Sequence, residues 1–280
     1  MNPPILTVKK LWVFLLVNLR RDTHGFIGFV ARYLWIFSLC FIYGSFFKAV
    51  SWQNNTQFDG HSIDYPLFLV SGLVVVRLIP FSIKIFEDIL SQLKNSGLME
   101  WFLVTPSSFW ELFASRALWN GFRVLTEVIA LIGFARICIG TPVRPFLQSA
   151  VMQPIFFMFV AYVGIGMMIS GLSLFLLRKS NFLFTAYLQV STVFGGVFFS
   201  TELFKDKLRI LSYVSDSLPI THALRAVRLA LVCGGASNSA ADGRILTMIA
   251  LILAVTGFVV LQRGLIWAKK NGEFSKELYN

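Results

Sequence analysis

The side chains best able to do chemistry here are charges set within apolar stretches. Arg123 and Glu127 lie four residues apart, a spacing that places them on the same side of a helix and allows an ion pair. Arg77 sits in a separate apolar stretch and can join that pair or meet a lipid headgroup. If these stretches cross a bilayer, each central charge costs about 2.5 to 3.5 kcal/mol. The sequence leaves two explanations open: mutual neutralisation or snorkelling, and a polar patch beside a substrate path. A row of aromatics, Phe182, Phe184, Tyr187, Phe194, Phe198 and Phe199, could contact sugar faces or acyl chains, or could simply pack.

Covalent and acid-base catalysis find no support. The sequence has no G-x-S-x-G and no H-E-x-x-H, and its acidic pairs, Glu87 with Asp88 and Glu273 with Glu277, have no histidine or metal-like partner nearby in sequence. The three cysteines and three histidines show no metal-ligand spacing, so no metal site is assigned. Gly-Lys occurs nowhere, which excludes a G-x-x-x-x-G-K-[ST] phosphate cradle. No cofactor is expected on this chain. Energy-driven work would draw on an ion gradient or on a partner.

The elements that must position these residues are membrane helices. Of 280 residues 56% are hydrophobic and 14% charged, with a mean hydropathy of +0.71. A soluble globule could not cover so much apolar surface. The formal charge of +11 fits cytoplasmic loops and anionic headgroups, and no nucleic-acid partner is expected. Windows of about 20 apolar residues predict an all-α integral membrane protein with six transmembrane helices, at about 26–47, 63–85, 112–139, 146–177, 182–200 and 245–265. The fourth window exceeds a perpendicular crossing, so it either tilts or is broken near its start by Pro154. The whole chain, 1–280, reads as a single transmembrane domain.

Three further segments complete the pattern. In residues 1–25, Leu11, Trp12, Leu15, Leu16 and Leu19 recur at helical spacing between basic ends, the signature of an interfacial N-terminal helix. Between the second and third spans, charges at Glu87, Asp88 and Glu100 mix with Leu98, Met99 and Trp101. This mixture suits equally a helix docking into a partner's groove and one resting on lipid. Residues 201–233 are too polar to cross and too apolar for a free loop, and they predict two short helices broken at Pro219. The distribution of Lys and Arg places both termini on the cytoplasmic side.

Two stretches resemble the membrane subunit of ABC-2 type transporters. SGLMEWFLVTPSSFWELFASRAL, with Gly97, Glu100, Thr105, Pro106 and Glu111, is similar to the family's cytoplasmic passage into the third span. GGVFFSTELFKDKLRILSYVSDSLPITHALRAVRLAL is similar to the end of its fifth span and the extracellular re-entrant helices that follow. There the matching positions include Gly196, Phe198, Phe199, Leu218, Pro219, His222, Ala223 and Arg228, with Arg225 in the same segment.

The resemblance implies a multi-pass permease of the prokaryotic inner membrane. It implies two copies of a cytoplasmic ABC ATPase, which carry ATP and Mg, and a second copy of this chain or a similar permease. A coupling helix within residues 87–105 would receive the ATPase stroke through Glu87, Asp88, Leu98, Met99, Glu100 and Trp101. The expected activity is outward movement of an amphiphile, such as a lipid-linked glycan, a lipid or a hydrophobic drug, by alternating access. Arg77, Arg123, Glu127, Phe194, Phe198 and Phe199 are the substrate-path candidates. The alternatives are a gradient-driven carrier, for which Glu127 is the one acidic candidate near mid-membrane, and a membrane-embedded lipid-modifying enzyme, for which no convergent catalytic set is found.

Overall fold

The computed structural model describes residues 26–50, 56–58, 61–63, 65–95, 109–140, 142, 144–176, 181–198, 209–233 and 240–271. The expected N-terminal helix, Leu98 to Trp101 and Phe199 lie outside them. The described elements, in chain order, are α1 (Phe26–Val50), β1 (Thr56–Phe58), β2 (His61–Ile63), α2 (Tyr65–Asn95), α3 (Phe109–Ile139), a 3-10 turn (Arg144–Leu147), α4 (Ser149–Leu176), α5 (Asn181–Phe194), α6 (Arg209–Ser217), α7 (Pro219–Cys233) and α8 (Ala240–Asn271).

Among the described residues the protein is an all-α membrane protein apart from one small hairpin. Its two strands pair antiparallel, Thr56 with Ile63 and Phe58 with His61, inside what the sequence suggested was only a polar loop. The Asp59-Gly60 dipeptide between them is a common hairpin connection, outweighed in a composition-based reading by the surrounding polar residues. Among the described residues three helical stretches are long and apolar enough to cross a membrane: Pro66–Phe86, Ser149–Phe175 and Ala241–Ala268. Shorter apolar stretches run over Tyr33–Ile42 and Phe182–Phe194. Exposed apolar side chains, among them Leu34 and Trp35 on α1 and Met248 and Leu251 on α8, give the molecule a surface suited to lipid.

Helix α4 is the hub, packing against α8, α2 and α7. Between apolar helices lipid offers no hydrophobic contrast, so close backbone approach through small residues must hold them together. Gly164 and Gly171 on α4 meet Gly257 and Gly264 on α8, each pair seven residues apart and so on one face. A Cβ on Gly171 would lie 2.8 Å from Val260 backbone atoms, and one on Gly264 2.8 Å from the Gly171 carbonyl oxygen. Gly166 does the same toward α2, where a Cβ would come within 2.6 Å of the Ile83 carbonyl oxygen. Pro154 lies inside α4, which runs unbroken from Ser149 to Leu176, so the helix is not interrupted there.

Two boundaries differ from the sequence reading. The fifth apolar stretch is a helix of 14 residues ending at Phe194, not a span to 200, because the chain turns through Gly195 and Gly196, the latter at φ 74°. Helix α2 continues without interruption from its apolar stretch to Asn95, so Glu87 and Asp88 belong to the same helix as Arg77. No Gly or Pro occurs between Phe81 and Asn95 to stop it. The break between α6 and α7 falls at Leu218, and α7 begins on Pro219, where a missing N–H costs nothing.

Candidate functional site

Helix α3 packs against both α1 and α2. Its sequence presents two faces. Leu118, Phe122, Leu125 and Ile129 are exposed and apolar, at spacings of four, three and four, the period of one helix side. Arg116, Asn120, Arg123 and Glu127 repeat that spacing on another side; Arg116, Asn120 and Glu127 are buried and Arg123 is half-buried. The polar stripe faces α2, where Arg77 and Lys84 are two turns apart. Together they line a half-open cleft of about 180 Å³, formed by Arg77, Pro80, Phe81, Lys84, Asn120, Arg123, Val124 and Glu127.

Within this cleft Arg77 donates from Nε to Glu127 Oε2 at 2.7 Å, and its Nη2 lies 2.7 Å from the same oxygen. The arginine side chain is 34% exposed and the carboxylate 4%. A buried carboxylate is thus answered by a cation at the cleft's open side, which offsets the desolvation neither could bear alone. The sequence placed Arg123 and Glu127 on one side of a helix and let Arg77 join them; the structure brings Arg77 of α2 onto the Glu127 carboxylate. Arg123 stands in the same cleft. Lys84 places its ammonium 4.6 Å from the Phe184 ring centroid, linking α2 to α5.

A second polar centre lies where α7 meets α2 and the turn after α5. Arg228, 2% exposed, donates from Nη1 to the Gly196 carbonyl at 2.8 Å and from Nη2 to the carbonyls of Val197 at 3.0 Å and Phe68 at 3.3 Å. Its Nε reaches Ser71 Oγ at 3.4 Å, and its guanidinium carbon is 3.4 Å from the Phe68 ring centroid. Around it, Arg225 donates to Asp216 Oδ1 at 2.9 Å. His222 spans two elements, with Nδ1 2.9 Å from Asp242 Oδ1 on α8 and Nε2 2.9 Å from the Asp216 carbonyl oxygen. Pro219 opens the helix that carries all three side chains.

A family model for the ABC-2 type transporter matches residues 13–232. The chain belongs to the ABC-2 type transporter family. It is a multi-pass membrane component of a transport system, and both polar centres fall within the matched region except for Asp242. Comparison with individual curated proteins gave no match.

Of the substrate-path candidates in this ABC-2 chain, Arg77, Arg123 and Glu127 come together in the cleft. Phe194 and Phe198 pack instead against the cluster that includes Val75, Ile79, Tyr162 and Ile220, and neither lines the cleft. The re-entrant candidates Pro219, His222, Arg225 and Arg228 share α7. Sequence reasoning missed Lys84 and Asn120 as cleft residues. The signal for Asn120 was present in the four-three-four spacing of the polar stripe, but an isolated amide draws less notice than a charge.

Proposed function

We propose that this chain is the membrane-spanning subunit of an ATP-driven exporter that moves an amphiphile outward across a prokaryotic inner membrane. The observation that carries the reading is membership of the ABC-2 type transporter family over residues 13–232, in a chain with no Gly-Lys dipeptide with which to build a phosphate cradle. Motive force would come from two copies of a cytoplasmic ABC ATPase that hold ATP and Mg, acting on a pair of permeases made from this chain or from it and a similar one. Directed transport requires inward-open and outward-open states of different substrate affinity, biased by nucleotide binding at the partner.

In this reading six spans bring both termini to the cytoplasm. Residues 87–105 form the coupling region, and α6 with α7 is the re-entrant excursion in the outer leaflet. The shortness of α5 and the amphipathic character of α6 and α7 support that excursion, since backbone at membrane depth must be helical or buried against protein. A gradient-driven carrier would rely on Glu127 to load an ion, and the Arg77 contact at 2.7 Å already occupies that carboxylate.

The test is purification of the full chain from its native membrane. A stoichiometric nucleotide-binding protein should accompany it, and the double substitution Met99→Asp with Glu100→Arg should abolish that association while membrane insertion persists. Uphill transport by the chain reconstituted alone would refute the ATP-driven reading. Undiminished partner association by the double variant would remove residues 99 and 100 from the contact.

A further inference from the structure

His222 stands in the first turn of α7 with an oxygen before each of its ring nitrogens. Nδ1 is 2.9 Å from Asp242 Oδ1 on α8, and Nε2 is 2.9 Å from the Asp216 carbonyl oxygen on α6. A backbone carbonyl and an ionised carboxylate can only accept hydrogen bonds. A neutral imidazole has one N–H and one lone pair, so either tautomer would set a lone pair against one of these oxygens at hydrogen-bond distance. Only a doubly protonated ring donates to both at once. The side chains of His222 and Asp242 are 8% and 20% exposed, which leaves water little room to relieve a mismatched contact.

The surroundings suit that charge. The Asp216 carbonyl belongs to the last turn of α6, where carbonyls lack partners inside the helix and a cation is favoured. Asp242 is in the first turn of α8, where negative charge is favoured. The N-terminal end of α7 itself opposes a cation, but two acceptors in direct contact outweigh it. α7 packs against α4, α8, α2 and α6. α4 carries no charged residue, its one titratable group, Tyr162, is buried in the cluster with Ile220, and α2 has no charge from Pro66 to Val76. On α6 the Asp216 carboxylate is taken by Arg225 and Tyr213 is exposed; on α8 Arg244 is exposed. Arg228, on α7 itself, is directed to the carbonyls of Gly196, Val197 and Phe68. Asp242 is therefore the carboxylate that meets His222.

We infer that His222 and Asp242 form a proton-operated clasp, which fastens α6 and α7 to the start of α8 while the imidazole carries both protons. Loss of one proton turns a donor into a lone pair facing an oxygen, and one of the two contacts opens. The folded chain thus holds a proton that the unfolded chain releases more readily, so the clasp contributes stability at low pH and loses it as pH rises. The binding of this proton does not depend on the transport reading, which supplies only the side of the membrane whose pH the clasp would sense.

The experiment uses the full chain in maltoside micelles with His24→Gln and His61→Gln, so that His222 is the sole histidine, labelled with nitrogen-15. Ring nitrogen resonances, which distinguish imidazolium from the neutral tautomers, are followed through the range in which imidazoles titrate, about pH 5 to 8. Asp242→Asn should lower the proton affinity of His222 by about threefold or more, since it removes the counter-charge. The melting temperature of the chain with Asp242 should exceed that of the Asn variant at about pH 5.5, and the gap should at least halve by about pH 8.5. A ring that stays neutral throughout, equal proton affinity in the two chains, or a melting gap independent of pH would each overturn the inference. Should Asp242→Asn not fold, the native chain is compared with the same chain unfolded in denaturant, and His222 must bind its proton about threefold more tightly in the native state; equal affinity overturns the clasp. Association with an ATPase, assayed separately, fails or survives independently of this result.

Discussion

Arg77 and Arg228 are both arginines held within a helical membrane protein, and the chain accommodates them in opposite ways. Arg228 is enclosed: backbone carbonyls of Gly196, Val197 and Phe68 accept its protons while the Phe68 ring stacks against it. Arg77 faces a half-open cleft and meets a carboxylate, among an excess of positive charge. A guanidinium fastened by several fixed oxygens ties segments together, here α7, α2 and the turn after α5. A guanidinium at an open wall, one contact from its counter-charge, can exchange partners. The comparison separates a charge enclosed by fixed backbone oxygens from one held at an open wall by a single counter-charge.

The largest effect should come from Arg228→Met. The substitution leaves the carbonyls of Gly196 and Val197 without the donor that now satisfies them in a buried setting, and loss of a buried charged donor costs about 3 kcal/mol. Thermal unfolding in detergent should show a clear fall in the melting temperature. Arg228→Lys should recover only part of the loss, because an ammonium cannot reproduce the planar fork or its stacking on Phe68. A melting temperature equal to that of the unaltered protein would break the comparison at its structural end.

An intermediate effect on stability is expected from Glu127→Gln. The amide oxygen can still accept from Arg77, whose exposure lets water share the cost, so destabilisation should stay near 1 kcal/mol. If Glu127→Gln instead unfolds the protein as severely as Arg228→Met, the cleft is a structural tie and the distinction fails. A double-mutant cycle on Arg77 and Glu127 isolates the contact that crosses between helices.

The sequence made much of this legible, unevenly. Long apolar windows, glycine and proline positions, and the polarity of residues 201–233 were enough to place α2, α4, α8 and the broken α6–α7 pair. Spacing of charges identified Arg77, Arg123 and Glu127 as belonging together, because a charge among apolar residues is conspicuous at any register. Which carboxylate met which guanidinium was not legible. That depends on the rotation of α2 against α3, which is set by contacts such as Gly121 against Phe81 that pair residues far apart in the chain. The cage around Arg228 was equally hidden, since its acceptors are backbone carbonyls, which every residue has. The early end of α5 followed from two adjacent glycines that a hydropathy window averages away.

The smallest effect tests whether everything near Arg228 shares its rigidity. Arg225 and Asp216 meet at 2.9 Å, yet their side chains are 18% and 41% exposed, so solvent competes for both partners. Asp216→Asn removes the charge and leaves the Asp216 backbone carbonyl that accepts from His222 in place. Stability should fall by no more than about 0.5 kcal/mol, the range of exposed pairs. At about 1 M salt, where the screening length is about 3 Å, even that difference should disappear. A loss above about 1 kcal/mol, or one that persists in high salt, would mean that the α6–α7 corner is as tightly coupled as the cage beneath it. The boundary between fixed and exchangeable charge would then have to be drawn outside this segment, with Arg225 joining Arg228 on the structural side.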